Sequence, residues 1–170
     1  NYSFYNCTNL KSIEFLNGGV SIGSYSFKQT VLASITFKSS STTIGDYAFY
    51  NLMTLNSIEF LNGVSISIGN YAFYYCMTLN SIEFLNGVSI SIGNGAFSYC
   101  TGLRKFTCPS GNISIGSMAF SDCKYLSKVE LSDGKVYVGS SAFKKCANLA
   151  NFPVANGGAS IGIHAFEDCI

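Results

Sequence analysis

Apolar residues return along the chain in two alternating runs separated by a fixed punctuation. In the first, LxxIxF, seen at Leu79, Ile82 and Phe84, the apolar positions fall on one side of a short strand while Ser81, Glu83 and Leu85 point the other way. The second, VSISIG, alternates again and turns Ile66 and Ile68 inward. The glycine that ends it leads into AFxxC, which the pattern predicts as a short helical turn with Ala and Phe toward the core.

This unit repeats throughout. Phe4, Phe27, Phe49, Phe73, Phe97, Phe120, Phe143 and Phe166 recur every 22 to 24 residues; all eight follow Ala or Ser, seven of them in an IGxxAF-like frame. The remaining six phenylalanines fall on the strand positions, at Phe15, Phe37, Phe60 and Phe84 and at Phe106 and Phe152. A residue type that occurs only in register fills a column of a stacked core. Residues 53–70 and 77–94 are identical, MTLNSIEFLNGVSISIGN, and a unit copied whole fits a structure in which each repeat contacts mainly its neighbours. The expected fold is a repeat solenoid of about seven coils of 22 to 24 residues, with parallel strands plus short helical turns, spaced roughly 4.8 Å apart. Residues 1–170 read as a single such solenoid. Because it starts on Asn1 and carries no polar cap at either end, the chain reads as a fragment of something longer, with possible end-to-end self-association.

LxxIxF at this period lies in the window of leucine-rich repeats, and the added IGxxAFxxC half resembles the BspA-like (Treponema pallidum type) subclass. Two positions depart from the family pattern. Gly63 and Gly87 stand where an asparagine ladder is expected, and Leu16, Leu61 and Leu85 stand where proline often follows the strand. The resemblance implies a non-catalytic protein of the cell surface or extracellular space that binds a protein or glycan in adhesion.

Composition narrows the chemistry. Charged residues make up 11% of the chain, with ten basic and nine acidic side chains and one histidine. Nucleic acid is excluded as a partner, since its recognition relies on many phosphate contacts, and few groups titrate near neutral pH. No cofactor is implied. No stretch approaches the length of a membrane span. Between Ser39 and Leu103 there is no Lys or Arg, whereas Asp46, Glu59 and Glu83 are present.

Six of the seven cysteines sit three residues after the repeat phenylalanine, and Cys108 takes a strand position. These are core columns, where a thiol acts as a small hydrophobe, and the absence of CxxC with a lone His164 argues against zinc. Free thiols are expected rather than disulfides, because side chains stacked in parallel point the same way. Three sequons, beginning at Asn1, Asn6 and Asn112, would accept glycans in a secretory pathway.

Two surfaces are candidates for a partner. On the first strand face, Glu14, Glu59, Glu83 and Glu130 recur at one outward position beside Leu16, Leu61 and Leu85. These leucines either offer an exposed contact or pack under the following turn. The glutamates read as a solvated ladder with no nucleophile or base assembled around them, so no catalytic residue is assigned. The second surface is a tyrosine cluster on the turns, including Tyr25, Tyr47, Tyr71 and Tyr74, whose rings either meet a partner or cover one another. The strand face is the expected binding surface; a structural spacer or self-association repeat is the alternative.

Overall fold

In the computed structural model, residues 1–63, 65–85, 89–109, 111–131, 134–153 and 157–170 are described. The chain winds into stacked coils that build two parallel sheets. The first sheet contains β1 (Ser12–Phe15), β3 (Ser34–Phe37), β5 (Ser57–Phe60), β7 (Ser81–Phe84), β9 (Lys105–Cys108) and β11 (Lys128–Leu131), in that spatial order. The second contains β2 (Gly19–Ile22), β4 (Ser41–Ile44), β6 (Ser65–Ile68), β8 (Ser89–Ile92), β10 (Asn112–Ile115), β12 (Val136–Val138) and β13 (Ala159–Ile161). Six coils carry both strands, and a seventh carries β13 among the described residues.

Register follows the repeat without slippage. Ile58 pairs with Ile82 and Phe60 with Phe84 in the first sheet, and Ile66 with Ile90 and Ile68 with Ile92 in the second. Each pair is buried. A one-residue slip would turn the whole inward set to solvent, which is why the alternation specifies the pairing so strongly.

Between the sheets lie the phenylalanine columns. The rings from Phe4 to Phe166 stack face to face at 4.7 to 5.4 Å. A second stack runs through Phe15, Phe37, Phe60 and Phe84 at 4.6 to 4.9 Å. It ends where Cys108 takes the slot, and Phe106 of the same strand meets Phe84 edge-on instead. The inward slot of β4 holds Thr42, whose buried hydroxyl is matched by Ser39 at 2.7 Å. Among the described residues no buried side-chain N or O lacks a partner.

The segment after each Ile-Gly pair corrects the expectation of short helical turns: it forms no helix among the described residues. Alternate amides serve two different partners. Tyr71, Phe73 and Tyr75 donate to the carbonyls of Asn94, Ala96 and Ser98 in the next coil, whereas Tyr74 and Cys76 close turns onto Tyr71 and Phe73. A helix would have directed all of these bonds back along the chain. The arrangement places Tyr71 and Tyr75 at positive φ, 54° and 62°, as it does their counterparts in every other coil.

The glycines of the Ile-Gly pairs serve close approach and not a left-handed turn. None has positive φ. A Cβ on Gly69 or Gly93 would lie 2.6 to 2.8 Å from backbone of the coil before, so glycine is needed for close approach. An amide ladder runs beside this column, one residue beyond the glycines: Asp46 Oδ1 accepts from Asn70 N, Asn70 Oδ1 from Asn94 N and Asn94 Oδ1 from Ser117 N, at 2.7 to 2.8 Å. The family's usual ladder position holds Gly63 here; Gly87 lies outside the described residues.

Candidate functional site

The outward positions of the first sheet form three parallel columns. Register gives the middle one as Glu14, Thr36, Glu59, Glu83, Thr107 and Glu130. Glu14 and Glu130 are thus each separated from the central pair by a threonine. Glu59 and Glu83 are direct neighbours, because two identical segments sit in consecutive coils.

Their electrostatic surroundings differ. Glu14 is held by Lys38 at 2.5 Å, and Glu130 by Lys128 at 2.8 Å. The hydrogen bond from Lys128, followed by its charge and that of Lys105, keeps the Glu130 carboxyl below its ordinary range. Lys105 lies 3.7 Å from Glu83. Glu59 has no ion pair among the described residues. Lysines therefore offset Glu14 and Glu130, Lys105 is shared between Glu83 and Glu130, and Glu59 carries the unoffset charge at the centre of the face.

The leucines that follow the strands sit in register as well, since the amides of Leu61 and Leu85 continue the ladder by bonding Phe37 O and Phe60 O. Leu16 and Leu85 are 55% and 50% exposed, and Leu61 is half-buried. Packing beneath the turn does not conceal them. Carboxylates next to exposed leucines offer a partner both charge and apolar area.

The tyrosine cluster takes the other form. Tyr2, Tyr25, Tyr47 and Tyr71 stack at 5.0 to 5.3 Å, and Tyr75 stacks on Tyr99 at 4.7 Å. Burial and the adjoining rings push the Tyr74 hydroxyl up to about 12. Ring faces here are occupied by other rings, leaving mainly edges to solvent.

All seven cysteines are free thiols. Cys76, Cys100, Cys123 and Cys146 stack in the core, each donating to the carbonyl of the phenylalanine one coil back at 3.2 Å. Burial pushes these thiols up, Cys76 to about 12. Such groups are poor nucleophiles and poor metal ligands. Among the described residues no cluster of His, Cys, Asp and Glu has the makings of a metal site.

The periodicity that buries Ile66 and Ile68 leaves Ser65 and Ser67 outward. This second outer face is uncharged at its centre and interrupted by Tyr137, a feature no sequence motif marks. Its only sequence signal is a tyrosine where the other coils carry Ser or Thr.

Two parallel sheets stacked coil upon coil, with leucine, isoleucine and phenylalanine columns between them, define a leucine-rich repeat solenoid. The family model for the BspA type leucine rich repeat region matches in six copies over residues 1–89 and 66–170, and the chain belongs to that family. Its fold is similar to the crystal structure of a leucine-rich repeat protein from Eubacterium ventriosum, with a TM-score of 0.68 and 24% identity. That match covers 89% of this chain and 43% of the other, so the chain spans less than half the length of its structural neighbour. No curated protein matches. Among the described residues no helix is long and apolar enough to cross a membrane.

Proposed function

We propose that the chain is a non-catalytic binding module of a surface protein, engaging a protein or glycan in adhesion through the outer face of its first sheet. The observation that carries this reading is the adjacency of Glu59 and Glu83 beside the exposed Leu85 and half-buried Leu61. A like-charged pair in neighbouring strands weakens the sheet by a few tenths of a kcal/mol to about 1 kcal/mol, a cost that a basic patch on a partner offsets. Family membership supports an interaction role, and a regular solenoid face provides the extended surface that repeat proteins use for binding.

The test is charge reversal of both residues, Glu59→Lys with Glu83→Lys, followed by measurement of adhesion to immobilised extracellular-matrix protein. Loss of adhesion with the circular-dichroism spectrum unchanged supports the strand face. Unchanged adhesion removes it. A structural spacer is the second reading, favoured by the identity of residues 53–70 and 77–94: no outward position there has diversified.

A further inference from the structure

The outer face of the second sheet carries a different chemistry. Ser65 and Ser67 on β6, Ser89 and Ser91 on β8 and Ser114 on β10 all point outward, in register from strand to strand. None of these hydroxyls has a hydrogen-bond partner among the described residues. Strand spacing sets them about 4.8 Å apart across the sheet, and about 6.6 Å apart within a strand. They floor a shallow groove of about 270 Å³ whose lining contains no Asp, Glu, Lys or Arg.

Tyr137 closes one end of that groove. It pairs in register between Ser114 and Ser160, and it also borders a second hollow of about 280 Å³ beside Gly158. Its ring therefore rises between two open spaces. Nine of the other tyrosines touch another aromatic ring and Tyr125 lies beneath the Arg104 guanidinium, whereas Tyr137, 51% exposed, has no such contact among the described residues. Its ring is free to meet a ligand.

We infer that this face binds a neutral linear polysaccharide laid across the strands, its hydroxyls exchanging hydrogen bonds with the serine columns and one sugar ring packing on Tyr137. The chemistry selects this partner over others. The surface facing the groove is mostly carbon with serine hydroxyls set among it, which suits a ligand that carries both C–H faces and hydroxyls. A charged polymer finds no counter-charge in the lining of the serine groove, and the one cation beside Tyr137, Lys135, lines the hollow on the other side of its ring. A peptide strand cannot pair here, because the interior strands already use their backbone groups within the sheet. A sugar polymer replaces water hydroxyls with its own, and the C–H face of a pyranose suits an uncovered tyrosine ring. The copied segments present the same serine pair twice, one coil apart, which matches a ligand made of repeating units.

This site is separate from Glu59 and Glu83, so the two proposals fail independently. The probes are neutral hexasaccharides of β-1,4-glucose, β-1,3-glucose and β-1,4-mannose, with oligogalacturonate of the same length as the anionic comparison, titrated by calorimetry. At least one neutral hexasaccharide is expected to bind. Tyr137→Ser, which restores the residue found at this position in neighbouring coils, is expected to weaken that binding about tenfold. Ser67→Lys with Ser91→Lys is expected to weaken it as well. No binding of any neutral probe at millimolar concentration would overturn the inference, as would equal binding of oligogalacturonate or binding indifferent to Tyr137→Ser.

Discussion

Gly93 lies so close over Gly69 that a Cβ on Gly93 would stand 2.6 Å from the Gly69 carbonyl carbon and 2.7 Å from Asn70 N. No side-chain carbon fits between these backbones. The coil spacing on both sheets depends on this contact, because the turn that follows carries hydrogen bonds from each coil to the next.

Gly93→Ala is accordingly expected to cost about 3 kcal/mol or more, at or beyond the upper end for overpacking, since backbone rather than a flexible side chain must move. Gly19→Ala is the control. There the nearest neighbour is Ser41 Oγ at 3.7 Å, an ordinary contact, and urea unfolding is expected to show little change.

Positive φ at non-glycine residues gives a second prediction. Lys145 adopts φ 60° on the exposed side of its turn, and no ion pair holds its side chain among the described residues. The left-handed conformation costs an L-residue roughly 1–2 kcal/mol, partly offset in glycine by greater backbone entropy. Lys145→Gly is expected to raise stability by about 0.5–1 kcal/mol, and Lys145→Ile to lower it. Equal urea midpoints for the two variants would refute this.

Most of the fold was legible because the phenylalanine interval is the coil length and the LxxIxF alternation is the strand register. Phe73, Phe97, Ile66 and Ile68 lie where the pattern puts them. The helical turn failed for a physical reason. A spacing of three from Phe73 to Cys76 suits a helix and a chain of β-turns equally, and only the next coil, which accepts from Tyr71, Phe73 and Tyr75, decides between them. The amide ladder was likewise missed, because Asn70 and Asn94 look like turn residues until their carbonyl oxygens are seen to cap the following coil. For the site, the adjacency of Glu59 and Glu83 followed from the copied segment. The free ring of Tyr137 did not, since it depends on which neighbours are absent.

Relieving the repulsion between Glu59 and Glu83 is expected to separate stability from binding. Glu59→Gln should stabilise the fold by about 0.2–1 kcal/mol, less at high salt because the exposed charges are screened. The same substitution should weaken the partner. A variant that loses stability would show that the carboxylate has a structural role.

The thiol column predicts alkaline sensitivity. At neutral pH the buried cysteines are protonated in folded and unfolded chains alike, and their contribution is fully present. Above about 9, the ordinary value for a thiol, the unfolded chain ionises while Cys76 keeps its proton to about 12. The unfolded state then binds fewer protons, so stability falls across that interval by up to about 1.4 kcal/mol per pH unit for each thiol. Replacing Cys76 and Cys100 with Ala should flatten the fall between pH 9 and 11. Ellman's reagent on the native protein should label Cys7 well before the column.

The claim that the first sheet's outer face meets the partner is tested most directly by hydroxyl-radical footprinting of the protein bound to immobilised matrix protein. Leu61 and Leu85 should be protected on binding, while Met118 and Tyr125, exposed elsewhere, stay as reactive as in the free chain. Protection confined to the tyrosine stack from Tyr25 to Tyr71, with Leu61 and Leu85 fully reactive, would contradict the account.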